Sequence, residues 1–116
     1  TMGHVNGVWQ GYVSEVALQS LALAASPPRI LNVTGPELIS VPWLASRLGQ
    51  LMGKEPVIVG EEAPMALLSD ATQCHKLFGY PEVTFDTVVQ WVAHWVMTGK
   101  PVWDKPTHYE ARNGKF

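Results

Sequence analysis

The chain has 116 residues, enough for one small domain with a core of its own. Hydrophobic residues make up 47% and charged residues 16%, where about a quarter charged is usual for a free-standing domain. A net charge of −2 argues against a nucleic-acid or polybasic membrane surface. The single cysteine, Cys74, excludes an internal disulfide and any CxxC zinc or redox motif, and no apolar run is long enough to cross a bilayer.

The opening Thr1-Met2-Gly3-His4 has the look of a vector remnant. No secretory leader pattern follows it, so a cytoplasmic location is expected. Val5 to Gln10 alternates well enough for a short strand. Apolar residues at Val13, Val16, Ala17, Leu18, Leu21, Ala24 and Ala25 then recur at helical spacing and predict a helix over about 13–25, stopped by Pro27-Pro28. Arg29 to Val33, rich in branched aliphatic side chains, predicts a strand that turns at Thr34-Gly35-Pro36.

The second helix carries the clearest punctuation. Ser40 can cap it, Pro42 sits in its first turn, and Val41, Leu44, Ala45, Leu48, Leu51 and Met52 form one face. Gly53 supplies its left-handed stop. Pro56 to Gly60 predicts a third short strand. A third helix starts at Asp70, with Gln73 completing a capping-box-like pair, and stops at Gly79 and Pro81. A fourth starts near Thr84 or Asp86, buries Phe85, Val88, Val89, Val92, Trp95 and Val96, and stops at Gly99 and Pro101. Residues 100–116 form a polar extended tail. The expected class is α/β, α+β-like: four amphipathic helices and a few short strands in a single domain over 1–116, with no complete Rossmann fold.

Catalytic motifs are absent from the sequence. There is no GxGxxG, P-loop, HExxH or GxSxG. No tyrosine has a lysine four residues on, the spacing at which a lysine would lower the phenol pKa: Tyr12, Tyr80 and Tyr109 lead to Val16, Thr84 and Asn113. Cys74 and His75 are adjacent and point about 100° apart on a helix, so Cys74 reads as core material rather than a nucleophile. His4, His75, His94 and His108 lack metal-ligand spacing, and Glu61-Glu62 reads as a solvated loop. Trp91 and Trp95, one turn apart, read as core anchors rather than a stacking platform. The 17 residues Gly53 to Ser69 are too many for the turn of a helix-turn-helix.

Several stretches in order carry a resemblance: Trp9-Gln10-Gly11, Ser26-Pro27-Pro28, Leu31-Asn32-Val33-Thr34-Gly35-Pro36-Glu37, Ser40-Val41, Gly53-Lys54-Glu55-Pro56, Ala66-Leu67-Leu68-Ser69-Asp70, Leu77-Phe78-Gly79-Tyr80-Pro81 and Trp91-Val92-Ala93 with Trp95. The closing Lys105 to Glu110 and Gly114-Lys115-Phe116 continue it. Together these resemble the C-terminal part of the NAD-dependent epimerase/dehydratase family, the extended short-chain dehydrogenases. The resemblance implies a substrate-binding lobe that closes over a cofactor crevice. The family's glycine fingerprint and Tyr/Lys catalytic pair lie on a separate N-terminal Rossmann domain, so no catalytic, cofactor-binding or metal residue carries over. By the same implication this chain binds no cofactor itself and is inactive alone, and NAD or NADP belongs to the full-length protein.

Its expected partners are the missing Rossmann domain and a small-molecule substrate, for which a nucleotide sugar is the family's usual choice. Neither nucleic acid nor membrane is expected. The undocked face would self-associate in the isolated piece. Candidate substrate-binding residues are Trp9, Gln10, Tyr12, His108 and Arg112. Tyr12 stands where family members often carry an acidic helix-opening residue, and a tyrosine cannot supply that cap. Trp9 has two readings, lining the substrate side or packing under the first helix. His108 and Arg112 are the tail's polar reach toward an anionic substrate. The alternative to the lobe is a stand-alone, non-enzymatic binding or regulatory module.

Overall fold

A computed structural model describes residues 3–106. In chain order the elements are β1 (His4–Val5), α1 (Gln10–Ser20) running into a 3-10 turn (Leu21–Leu23), β2 (Ile39–Ser40), α2 (Val41–Met52), α3 (Thr72–Phe78) and α4 (Phe85–Met97). The fold is mixed α/β and mostly helical. Its sheet is one antiparallel pair, with His4 opposite Ser40 and Val5 opposite Ile39. The Val41 amide extends that pairing by donating to the Gly3 carbonyl at 2.9 Å.

Two expected strands do not form. Residues 29–33 and 56–60 run without a ladder partner among the described residues, and Ile30 is 91% exposed. Branched side chains favour an extended backbone, but a strand also needs a neighbouring chain for its hydrogen bonds. The first strand is shorter than expected because the chain turns into α1 at Gln10, three residues before the anticipated start.

The other helix boundaries follow local chemistry. Ser40 Oγ accepts from the Trp43 amide at 3.3 Å, and Gly53 closes α2 at φ 65°. Gly49 is buried because the chain leaving α2 folds back over it, so a Cβ there would meet the Lys54 carbonyl and Pro56. Asp70 Oδ1 accepts from the Thr72 amide at 2.8 Å, starting α3 two residues later than expected. Thr84 Oγ1 caps the Thr87 amide of α4. Glu37, far away in sequence, accepts from the Phe85 amide at 2.9 Å, where the helix end favours negative charge.

Packing divides into two small clusters. Tyr12, Val16, Ala71 and Cys74 are buried between α1 and α3, with Val8, Leu31, Val33 and Phe78 against them. The second is the contact of α2 with α4, where Gly49 is buried on α2 and Val89 and Ala93 on α4. Arg47 on α2 spans to Asp86 on α4 through two parallel bonds, Nε to Oδ1 at 2.7 Å and Nη2 to Oδ2 at 3.1 Å, and Gln90 donates to the same carboxylate at 2.8 Å.

Backbone ties join the clusters. Asn6 donates to the Ser69 carbonyl at 2.7 Å and accepts from the Ser69 amide at 3.3 Å, as a strand neighbour would. Asn32 donates to the Asp70 carbonyl at 3.2 Å, and the Gly35 amide donates to the Gly7 carbonyl at 3.2 Å. A Cβ on Gly35 would run into that Gly7 oxygen.

Two outcomes follow. Gly35→Ala forces backbone apart and should cost about 1–3 kcal/mol in urea unfolding; an unchanged midpoint would show that the approach is slack. The Arg47 guanidinium, then Gln90, hold the Asp86 carboxyl below its usual range. Its contribution to stability is therefore complete above the unfolded carboxyl pKa of about 4 and is lost as pH falls through the lower folded value. Asp86→Asn should flatten the acid limb of stability measured from pH 7 to pH 3.

Candidate functional site

Trp9 caps α1 in an extended conformation with no side-chain hydrogen bond to the helix. Its indole folds back over Gly11, where a Cβ would overlap the ring, so glycine is what makes the position available. Trp91 of α4 meets the indole edge-on, with centroids 5.7 Å apart and planes at 72°. Trp9 remains half-exposed, so it neither disappears under α1 nor stands free.

Hollows open on both sides of it. One cleft, about 230 Å3, lies among Gly7–Trp9, Gly35–Glu37 and the stretch from Pro81 to Phe85. The other, about 130 Å3, lies among Trp9, Tyr12, Glu15, Phe78, Tyr80 and Glu82. A separate apolar groove of about 230 Å3 follows the end of α1, between Leu23, Ala25, Pro28 and Leu77.

The expected site residues have different fates. Gln10 is exposed at the first position of α1, and its carbonyl accepts from Ser14 Oγ at 3.1 Å. Tyr12 is only 6% exposed. Its hydroxyl donates to the Gly79 carbonyl at 2.7 Å and lies 3.6 Å from Cys74 Sγ. Burial first, then the hydrogen bond with Cys74, push its pKa up to about 12, so it is a neutral phenol at physiological pH. Trp9, Gln10 and Tyr12 share the start of α1, and Trp9 and Tyr12 border the smaller hollow together. His108 and Arg112 lie outside the described residues.

Cys74 is fully buried in the α1–α3 cluster. Its neighbour His75 bonds the Thr34 carbonyl through a ring nitrogen at 3.0 Å and stacks on Tyr80 at 4.7 Å. Trp91 and Trp95, expected as core anchors, are both half-exposed. Trp95 donates to the Pro101 carbonyl at 3.0 Å, and Lys100 Nζ sits 4.9 Å above its ring. Sequence reading missed Glu15, Phe78, Tyr80 and Glu82 as neighbours of Trp9. Only Glu15, one turn beyond Tyr12, could have been placed from spacing.

Among the described residues no group of three or more His, Cys, Asp or Glu is placed to hold a metal. No described helix is long and apolar enough to cross a membrane. The two hollows beside Trp9 offer rings, carboxylates and backbone, which can stack and hold a ligand. No family model, curated protein or solved structure matches the chain.

The Tyr12 environment sets an alkaline limit. Because the folded pKa is raised, its contribution is present below the unfolded value of about 10 and is lost as pH rises toward the folded value. Phenolate absorbance should show one tyrosine titrating near 12, with stability falling between pH 10 and 12. In Tyr12→Phe that step should vanish. If it persists, another tyrosine is responsible.

Proposed function

We propose that the chain is the substrate-binding lobe of an NAD(P)-dependent oxidoreductase of the epimerase/dehydratase type, working in the cytoplasm against a Rossmann domain encoded outside this sequence. One observation carries the reading: α1 is apolar on two sides. Tyr12 and Val16 face the α1–α3 cluster. Val13, Ala17 and Leu21, spaced as i, i+4 and i+8, form a second stripe in the open, with Leu18 beside it. Leu18 and Leu21 are 71% and 73% exposed. An apolar stripe left in water fits a second layer, and only one layer covers α1 among the described residues. Ile30 is bare as well.

Size supports the reading. The radius of gyration is 16.3 Å, where about 13 Å is expected for a self-contained domain of this length. Exposed apolar side chains such as Leu18 and Leu21 fit a missing partner, and they would also drive self-association of the isolated piece. In the whole enzyme the cofactor would supply hydride transfer at a carbinol or ketone carbon. This lobe would hold the substrate, a nucleotide sugar on the family pattern. Trp9 and Gln10 sit at the mouth of α1 for that role, and His108 and Arg112 are assigned to its anionic portion.

The coding DNA upstream of residue 1 tests the assignment. It should encode a glycine fingerprint and a Tyr/Lys pair four residues apart; a stop codon directly ahead would overturn the lobe. In parallel, calorimetry of the isolated chain should show no heat with NAD or NADP at about millimolar concentration. Tight binding would mean that the cofactor site lies in these residues.

A further inference from the structure

The smaller hollow beside Trp9 shares that residue with the lobe assignment but has a chemistry of its own. Four aromatic residues, Trp9, Tyr12, Phe78 and Tyr80, line it together with Val83 and the acidic Glu15 and Glu82, and no Lys or Arg is among its lining residues. We propose that it binds a small organic cation, an alkylammonium of about choline size.

The walls are fixed before any ligand arrives. Trp9 is braced edge-on by Trp91 and seated over Gly11. Tyr80 is braced by the His75 ring, which is itself tied to the Thr34 carbonyl. Tyr12 is anchored through its hydroxyl to the Gly79 carbonyl, which leaves no free phenol proton to recruit an anion. Glu15 is held on α1 by Gln19, whose side-chain amide donates to Glu15 Oε1 at 2.9 Å. Its charge reaches the cage, since it is one of the influences that raise the Tyr12 pKa.

Aromatic faces attract cations through the ring quadrupole, and two carboxylates add to that potential. An anion would meet two negative charges with no compensating donor. At about 130 Å3 the hollow is well below the ~300–1,000 Å3 of pockets that enclose drug-sized ligands, so it takes a head group and not a dinucleotide.

The test is a titration of the 116-residue chain with choline chloride at constant ionic strength, followed by NMR at the Trp9 indole N–H. The neutral isostere 3,3-dimethylbutan-1-ol is the control. Choline should give a saturable shift at Trp9 with a Kd of about a millimolar. The isostere, and choline with the Glu15→Gln/Glu82→Gln double variant, should each bind at least about fivefold more weakly. Absence of saturation by about 50 mM choline would overturn the proposal. So would equal binding of the neutral isostere, or undiminished binding by a folded double variant. Should that variant not fold, the choline-to-isostere ratio on the parent chain decides alone. Failure here leaves the lobe assignment standing, because that assignment is tested on upstream coding sequence and dinucleotide binding.

Discussion

The Tyr12 side chain is the joint on which the arrangement depends. Its ring fills the space between α1 and α3, and its hydroxyl satisfies the carbonyl of Gly79, the residue that ends α3. A polar tip on an apolar body suits this place: the body is buried, and the tip finds a backbone acceptor just past the end of α3. By fixing Gly79 it also fixes where the chain turns toward Tyr80 and Pro81. That turn supplies one wall of the hollow beside Trp9, so the shape of the candidate site follows from a contact on its inner side.

The second cluster is held differently. Little of α2 and α4 is fully buried: Gly49 on the first, Val89 and Ala93 on the second. Orientation comes from directional polar contacts, namely the forked Arg47–Asp86 pair and the Glu37 carboxylate at the start of α4. A surface pair of this kind adds modest stability, but its paired geometry restricts how the helices can rotate against each other. The two clusters communicate through the segment 3–8, which pairs with β2, grips Ser69 through Asn6 and touches Gly35 through Gly7. Each helix pair covers itself on one side only, which is why so much apolar surface stays in water.

What was legible in the amino-acid order was whatever a few neighbouring residues decide. Ser40 and Thr84 cap their helices, and Gly53, Gly79 and Gly99 adopt positive φ just past the ends of theirs. The extended runs at 29–33 and 56–60 were not legible as strands, because strand formation is settled by a partner that local composition does not contain. The inward face of α1 was misread for a related reason. Of the stripe that periodicity marks from Val13 to Ala25, Val16 is buried while Val13, Ala17, Leu18 and Leu21 stay outside, and Tyr12, off that stripe, goes in. Of the candidate site, Trp9 was visible as an aromatic at the mouth of a helix. Phe78, Tyr80 and Glu82 reach it across more than sixty residues of chain, brought there by the Tyr12–Gly79 bond and the packing of Phe78 on the α1–α3 cluster.

The exposed run Val57-Ile58-Val59 carries a consequence for handling the chain. Three consecutive branched aliphatic residues in water, without a ladder, are a template onto which another extended peptide can register, and repeated registration leads to fibrils. The residues on either side oppose this. Pro56 removes an amide at the leading end, and Glu61 with Glu62 places like charges at the trailing end, so stacked copies would repel. These flanks act as gatekeepers around an exposed run of branched aliphatic residues.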